Sequence, residues 1–463
     1  MKKDNKFASS FGFIMAAVGS AVGVGNIWGF PYKMGSNGGF AFLLCYLLVV
    51  ACLGFVVMQG ELVIGRKTGK GVVACYRAAG KKAGWIGWIG AAAILLITGF
   101  CATLTAYCMK YFIGNIGTLF GASWGINGGD PTTYWNNFLS NGWESALLTL
   151  LAVVLTVVIM YTGTSGIEKF CKYAMPTLVC MLIIVIIKSN SLPGSSAGLA
   201  FIFKPDWTVF KGTGWISVFG TATGQAFFSL SLGMAIMVTY GAYLKKNENI
   251  EKSAVLICFF DTLVAILAGI AVFPAVFAFG HEPTGGTALL FVTLQTVFND
   301  MGKVGPIFGA LMYLLVTIAE LTSLVSMFEA PVAFITDFCE EKGKKVSRTP
   351  ILLAVAAFNL LTGVIVAFDG LGGNGLIQPL GFCWMDFFDL FSEGILIPVG
   401  SLATAILIGW KLGGKYMSDE IELEGNVWKT KKFTTFCMKW IAPLFLTFAL
   451  VAQINNFFGF GWF

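Results

Sequence analysis

The chain has 463 residues, of which 57% are hydrophobic and 12% are charged, and its mean hydropathy is +0.80. Soluble domains carry about 25% charged residues, so this composition excludes a soluble globular core and predicts a polytopic protein in a lipid bilayer. The net charge of +6 does not indicate a nucleic-acid partner, because the basic residues collect in alternate connections between apolar segments.

About eleven apolar segments are long enough to cross roughly 30 Å of hydrocarbon. They cover residues 11–32, 40–64, 85–112, 145–161, 174–187, 215–243, 254–279, 307–334, 351–367, 387–410 and 433–457. We therefore expect an all-α membrane protein with about eleven transmembrane helices. These helices would form one polytopic domain over residues 1–463.

The basic residues also predict the orientation in the membrane. Lys2, Lys3 and Lys6 precede the first span, and residues 114–142, after the third span, contain no Lys or Arg. The connection after the second span is basic, with Arg66, Lys67, Lys70, Arg77, Lys81 and Lys82. Since Lys and Arg collect on the cytoplasmic side, the N-terminus is expected inside. An odd number of spans then places Phe463 outside.

The first span contains a glycine-rich run where a membrane helix should be continuous, Gly19-Ser-Ala-Val-Gly-Val-Gly-Asn26. Each glycine in a helix interior costs about 1 kcal/mol relative to alanine. Unpaired backbone at bilayer depth is tolerated only where protein or a cavity covers it. The run therefore predicts a broken helix and a binding site at the break.

The sixth span contains a second such interruption, in which an amide and two hydroxyls enter an apolar helix, Gly224-Gln-Ala-Phe-Phe-Ser-Leu-Ser-Leu-Gly233. Close helix packing by small residues is an alternative explanation for either run taken alone. Two interruptions five spans apart instead favour a repeated architecture with paired broken helices.

Polar residues within the spans indicate where chemistry takes place. Asp261 lies in the apolar seventh span, where burying a carboxylate costs free energy and a functional role is the default explanation. The alternative is a structural role, in which Asp261 bonds to a neighbouring hydroxyl. Glu320 is a second such acid, with no role assigned from the sequence beyond the possibility of proton binding. The hydroxyls of Thr322 and Ser323 could bind a cation or could bond to the carbonyl one turn back.

Taken in order, five segments resemble the motifs of the neurotransmitter:sodium symporter family in its bacterial eleven-span form. They are Gly19–Tyr32, Asn37–Phe42, Gly60–Arg66, Gln225–Gly233 and Leu321–Ser323, and the likeness covers nearly the whole chain. The resemblance implies an inverted repeat of five helices with discontinuous helices 1 and 6. Its halves would be residues 7–187 and 215–410, with residues 433–457 as helix 11.

The resemblance implies two sodium sites. A sodium ion stripped of water needs several oxygen ligands, which freed carbonyls and short polar side chains can supply. By similarity, sodium 1 would be bound by Ala21, Asn26, Ser229 and Asp261 together with the substrate carboxylate. Sodium 2 would be bound by Gly19, Val22, Ala319, Thr322 and Ser323. The family commonly has Asn where this chain has Asp261, and the fixed charge predicts that transport does not require chloride.

The substrate pocket implied by the resemblance has an apolar lining that suits a small neutral amino acid with an apolar side chain. Phe228 would act as an aromatic lid. The candidate substrate-binding residues are Ala21, Val24, Gly25, Ile97, Cys101, Phe228, Ser229, Ser231, Met234, Ser323 and Met327. For any single wall residue taken alone, ordinary lipid or core packing is the better explanation.

The chain departs from the family at its gates. Gly29 stands where an outer-gate Arg is usual, so Lys33 is expected to reach Asp389 instead. Cys101 replaces the Tyr that normally bonds the substrate carboxylate, and a thiol is a weak donor. Asp337 matches the inner-gate acid, and Lys3 or Lys6 would replace its usual Arg partner.

Together these features predict a sodium-driven importer of a small amino acid or related zwitterion, working by alternating access in a bacterial cytoplasmic membrane. The co-transported ion is Na⁺, no organic cofactor is expected, and the protein would be a monomer or a homodimer. An enzyme is disfavoured because the single histidine, His281, has no catalytic cluster around it. A channel is disfavoured because the spans are too apolar to line a pore. A non-transporting sensor and a transporter of another small solute remain alternatives.

Overall fold

A computed structural model describes residues 7, 9–282, 286, 288–344 and 346–462 of the chain. The predictions that depend on Lys2, Lys3, Lys6 and Phe463 lie outside these residues. Within the described ranges the protein is helical and contains no β-strand, which confirms the predicted fold class.

The helices follow the predicted spans closely, and most extend a few residues beyond them. They are α1 Ser10–Ala21, α2 Phe30–Ser36, α3 Phe40–Thr68, α4 Val72–Ala79, α5 Gly84–Leu119, α6 Pro131–Ser140, α7 Gly142–Met160, α8 Thr164–Asn190, α9 Ser196–Phe203, α10 Gly214–Ser229, α11 Ile236–Tyr243, α12 Ile250–Ala278, α13 Leu294–Asp300, α14 Gly305–Glu341, α15 Arg348–Asp369, α16 Trp384–Ile421 and α17 Lys431–Phe458. Short 3-10 turns lie at Thr208–Phe210, Gly302–Val304, Pro379–Gly381 and Leu423–Gly425.

Among the described residues, nine helices are long and apolar enough to cross a membrane, and ten if the bent pair at the N-terminus is one span. The segment from α10 to α11 is interrupted over residues 230–235 and is not among them. The chain is therefore a multi-pass membrane protein, and the number eleven stays a prediction.

The first span is broken where the glycine-rich run predicted a break. Helix α1 ends at Ala21, and Val22 is extended, with φ −80° and ψ 101°. A turn of π-helix then covers Gly25–Gly29 before α2 begins. The two halves meet at an angle of 49°. The freed backbone groups lie inside the protein, as the cost of exposing them to lipid requires.

The sixth span is broken by three residues in the left-handed region. Ser231, Gly233 and Ala235 have φ values of 56°, 74° and 70°. Glycine adopts this conformation at no steric cost, whereas it is strained for serine and alanine. Such a sequence of angles cannot continue a right-handed helix, so α10 ends at Ser229 and α11 begins at Ile236.

Helix α11 is held against α3 through close backbone contact. A Cβ atom on Gly65 would lie 2.0 Å from the carbonyl oxygen of Val238, and one on Gly241 would lie 2.6 Å from that of Leu62. Small residues allow this approach between membrane helices. The second half of the broken sixth span is thereby fixed to the second span, and α14 packs along α5 on the other side of the break.

We predict that Gly65→Ala lowers thermal stability in detergent, because overpacking costs about 1–3 kcal/mol when backbone atoms must separate. Gly269→Ala is the matched control, since a Cβ there would lie 3.6 Å from the ring of Phe273, an ordinary contact. Thermal unfolding of the two purified variants gives the comparison. Equal midpoints for both would show that this backbone contact does not hold α11 in place.

Candidate functional site

The two helix breaks lie side by side and bond to one another. The Ser231 hydroxyl donates to the carbonyl oxygen of Ser20 at 3.2 Å, and the Gln225 amide donates to the carbonyl oxygen of Gly25 at 2.6 Å. Side chains of the sixth span therefore bond to backbone carbonyls on both sides of the first break. The site consists of these two segments and the helices that cover them, α12 and α14.

Asp261 on α12 is the centre of a buried cluster beside the breaks, and its side chain is fully buried. It accepts hydrogen bonds from the Asn26 amide at 2.7 Å, the Ser229 hydroxyl at 2.8 Å and the Tyr46 hydroxyl at 3.2 Å. No basic residue of the described part of the chain forms an ion pair with it. A buried carboxylate without a counter-charge favours binding of a cation.

Three residues predicted for sodium 1 thus meet in space: Asn26, Ser229 and Asp261. The fourth, Ala21, is the last residue of α1 and precedes the break directly. The side-chain oxygen of Asn26 accepts from the backbone N–H of Gly23 at 3.0 Å, which fixes the orientation of the amide. Carboxylate, hydroxyl and carbonyl oxygens form the donor set that a hard cation prefers.

The residues predicted for sodium 2 also meet, where α14 faces the first break. The Thr322 hydroxyl donates to the Ala319 carbonyl at 2.7 Å and lies 3.5 Å from that of Val22. The Ser323 hydroxyl donates across to the Ser20 carbonyl at 3.2 Å. The Thr322 hydroxyl therefore bonds to a carbonyl of its own helix, as the alternative explanation expects. The Ser323 hydroxyl bonds to a different helix. A Cβ on Gly19 would lie 3.3 Å from Cβ of Thr322, so Gly19 borders the same group.

Glu320 is the polar residue whose role the sequence left open. One carboxylate oxygen, Oε1, accepts from the backbone N–H of Val24 at 2.5 Å, and the side chain is 1% exposed. The other oxygen, Oε2, has no hydrogen-bond partner among the described residues. The sequence could identify the acid but not this contact, because the contact depends on the shape of the broken segment.

A cavity of about 660 Å³ opens above the breaks on the side of the connection between α15 and α16. Val24, Gly25 and Phe228 line its deep end, and Lys33 and Asp389 lie nearer its mouth. The other candidate substrate residues do not line it and are buried. These residues are Ala21, Ile97, Cys101, Ser229, Ser231, Met234, Ser323 and Met327.

The predicted partner of Lys33 is wrong. The Lys33 ammonium forms an ion pair with Glu393 at 2.5 Å, although Asp389 lines the same cavity. A stretch of π-helix covers Leu390–Leu396, and such a wide turn changes the direction of the side chains that follow it. Glu393 was not predicted from the sequence. Its position one helical turn after Asp389 could have identified it as a second possible partner of Lys33.

The end opposite the cavity is closed by packed aromatic residues and buried ion pairs. Phe7 packs edge-on against Phe13 and Tyr240, each with ring centroids 5.6 Å apart. The carboxylate of Asp337 accepts a hydrogen bond from the backbone N–H of Gly71. Its expected partners, Lys3 and Lys6, lie outside the described residues.

Two ion pairs at this closed end were missed, one buried and one partly buried. Arg66 Nε lies 2.8 Å from Glu420 Oε1, and Arg348 Nη1 donates to Glu329 Oε1 at 2.9 Å. Glu329 also accepts from the Tyr243 hydroxyl at 2.5 Å. Asp261 was identified from the sequence because it is an acid within an apolar span. Glu329 is also an acid within an apolar span, so the same argument could have identified it.

Comparison with known proteins agrees with this geometry. Residues 4–125 and 135–461 match the Sodium:neurotransmitter symporter family. The chain belongs to this family. It is therefore a sodium-dependent symporter and a multi-pass membrane protein, as the motifs predicted.

Relatives of this symporter align with most of its length. The sodium-dependent transporter YhdH of Bacillus subtilis is 33% identical over 462 residues, covering 99% of this chain and 98% of the relative. The human sodium- and chloride-dependent GABA transporter 2 is 23% identical, covering 89% of this chain and 73% of the relative. The structure of MhsT in complex with L-phenylalanine superposes with a TM-score of 0.85 at 35% identity, covering 97% and 99% of the two chains.

We predict that Ser323→Ala raises the sodium concentration that gives half-maximal thermal stabilisation by about tenfold, since losing one oxygen ligand is worth about 1.4 kcal/mol. Thr317→Ala is the matched control on the same helix, because the Thr317 hydroxyl donates only to the Tyr313 carbonyl of its own helix, at 2.7 Å. Thermal-shift titrations with sodium, at constant ionic strength in choline, measure both. Equal sodium dependence of the two variants would contradict the prediction that Ser323 binds sodium.

Proposed function

We propose that this symporter imports a small solute with an amino group and an apolar body, an amino acid or a close relative of one. The observation that carries the proposal is the meeting of two helix breaks around the buried, unpaired Asp261. The phenylalanine bound to MhsT supports an apolar side chain for the solute.

The proposed sodium 1 site uses Asn26, Ser229 and Asp261 with the carbonyl of Ala21. The proposed sodium 2 site uses the hydroxyls of Thr322 and Ser323 with the carbonyls of Gly19, Val22 and Ala319. The sodium 1 site includes Ala21 and Asn26, on either side of the first break, so filling it fixes the angle between α1 and α2, whereas the sodium 2 site joins α1 and the break to α14. A ligand that binds one conformation better than the other shifts the population toward it.

The proposed solute site lies beneath the deep end of the cavity, with Phe228 as the lid between the two. Its walls would be the buried residues Ile97, Met234 and Met327. Polar contacts would come from the backbone of Ala21, Val24 and Gly25, from Ser229, Ser231 and Ser323, and from Cys101. Lys33 and Glu393, beside Asp389, form the proposed gate on the cavity side, and Asp337 the gate at the closed end.

Alternating access would result from movement of the first, second, sixth and seventh spans against the others. The first and sixth spans carry the breaks, α3 is fixed to α11, and α12 carries Asp261. Sodium would favour the state that is open at the cavity and would complete the solute site. By reciprocity, each ligand then raises the affinity of the other.

Chloride independence is part of the proposal. Asp261 places a fixed negative charge beside the cation site, and the Tyr46 hydroxyl, which matches the anion-binding position of the family, donates to this carboxylate at 3.2 Å. The donor that would bind a chloride ion is thus already engaged. A protein charge at this point offsets the charge of the sodium ions without an added anion.

The topology completes the proposal. The cavity opens beside residues 371–386, which the alternation of spans assigns to the same side as the connection 114–142, which contains no Lys or Arg. We take this side as external, in a bacterial cytoplasmic membrane, with the N-terminus inside and the C-terminus outside. The repeat halves, residues 7–187 and 215–410, each begin with a broken span.

The direct test is uptake into proteoliposomes that contain the purified protein. We expect an inward sodium gradient to accumulate an amino acid or related amine, and a potassium gradient of equal size to have no effect. Sodium-dependent binding without accumulation would favour a non-transporting sensor.

We predict that Asp261→Asn lowers sodium-dependent ligand affinity at least about tenfold in chloride-free buffer, because the cation site loses its only formal charge. Added chloride is expected to restore part of the affinity, since it can supply the missing negative charge. Binding assays in chloride and in gluconate, with wild type as the reference, provide the measurement. A variant that binds like wild type in both anions would contradict the role of Asp261.

A further inference from the structure

The carboxylate of Glu320 accepts a hydrogen bond from a backbone N–H group that the first break frees. The N–H of Val24 is freed because the helix is interrupted, and Val24 lines the deep end of the cavity. An amide at this position is a natural donor to a carboxylate on a bound solute. Here it donates to Glu320 Oε1 instead, at 2.5 Å.

The space for this acid is built into the first break. A Cβ atom on Gly23 would lie 3.1 Å from Glu320 Oε1 and 2.4 Å from the Ser323 hydroxyl oxygen. Gly23 therefore leaves room for the carboxylate to approach the unwound backbone. Only one of the two carboxylate oxygens is used, and Oε2 remains buried without a hydrogen-bond partner among the described residues.

Glu320 also lacks a positive partner within the protein. No Lys, Arg or His of the described residues forms an ion pair with it. An isolated charge in a low-dielectric interior is costly and is retained where something pairs with it. Oε2 is therefore available to a cationic group that comes from outside the protein.

Two further features disfavour a carboxylate on the solute. Cys101, which is buried on α5, offers a thiol in place of a strong hydroxyl donor. Asp261 already supplies a negative ligand to the proposed sodium 1 site. A solute carboxylate would use the Val24 amide, a strong donor at position 101 and an uncompensated cation at the proposed sodium 1 site, and the described residues offer none of these three.

The cavity that leads to the proposed solute site also favours a cationic solute. The cavity is lined by three carboxylates, Asp386, Asp389 and Glu393, and by one ammonium, Lys33. Lys33 is already paired with Glu393, and no arginine lines the cavity among the described residues. A cleft of one sign concentrates ligands of the opposite charge.

We propose that the solute is a primary amine without a carboxylate, the decarboxylated counterpart of an apolar amino acid, and that Glu320 binds its ammonium. This rests on the proposed function and narrows it to one substrate class. The protein supplies the carboxylate that an amino acid would bring with it. An amine is protonated at neutral pH, so it forms a charge-assisted hydrogen bond with Glu320 Oε2.

The test uses the full-length protein in detergent and matched pairs of ligands in sodium buffer. The pairs are phenethylamine with phenylalanine, isopentylamine with leucine, and tryptamine with tryptophan. We expect at least one amine to bind at least about tenfold more tightly than its amino acid, a difference that corresponds to about 1.4 kcal/mol. Binding of the amino acid with the amine at least tenfold weaker would overturn the inference and leave the proposed function standing.

Two variants make the test specific to Glu320. Glu320→Gln keeps the shape of the side chain and removes its charge, and it is expected to weaken amine binding at least tenfold. Glu144→Gln is the control, because Glu144 pairs with Lys110 and does not line the cavity. Unchanged amine affinity in Glu320→Gln would mean that the acid acts in its neutral form, and would overturn the inference.

The double variant Glu320→Gly with Cys101→Tyr tests the converse. It frees the Val24 N–H and adds a phenol donor, so we expect the preference to change from the amine to the amino acid. A double variant that still prefers the amine would overturn the inference. If neither ligand class binds the wild-type protein in sodium, the proposed function fails together with this inference.

Discussion

The rest of the structure depends on one constraint, which is that backbone groups and charges buried at bilayer depth must be satisfied inside the protein. Two helices are interrupted side by side, and backbone groups at the first break bond to the side chains of Gln225, Ser231 and Glu320. Asp261 adds a charge that no described side chain neutralises. A hard cation fits this arrangement, because it binds oxygens and compensates negative charge in one step.

The same constraint connects the site to conformational change. The cavity reaches the breaks from one side, whereas aromatic packing around Phe7 and the Arg66–Glu420 pair close the other. Backbone contact between Gly65 and Val238 couples the second half of the sixth span to α3. Ligands bound at the proposed sites would therefore act on segments that extend to both ends of the molecule, as a two-state mechanism requires.

Much of this follows from the sequence. Apolar length predicts the spans, glycine and hydroxyl runs predict the breaks, and the cost of a buried acid marks Asp261. Side-chain partners are harder to predict, because they depend on register. The π-helical stretch after Asp389 gives Lys33 a different partner, Glu393, and the contact of Glu320 with Val24 exists only in the unwound geometry. Most of the candidate pocket residues are buried away from the cavity. Residue type alone does not predict which of them line the cavity.

The central claim is that oxygens exposed by the paired breaks bind sodium ions. Equilibrium binding of radiolabelled sodium to the purified protein, with no solute present, tests it most directly. The account predicts saturable binding that unlabelled sodium displaces and that potassium and choline do not. Sodium binding no greater than that of an empty detergent control, or equal displacement by potassium, would contradict it.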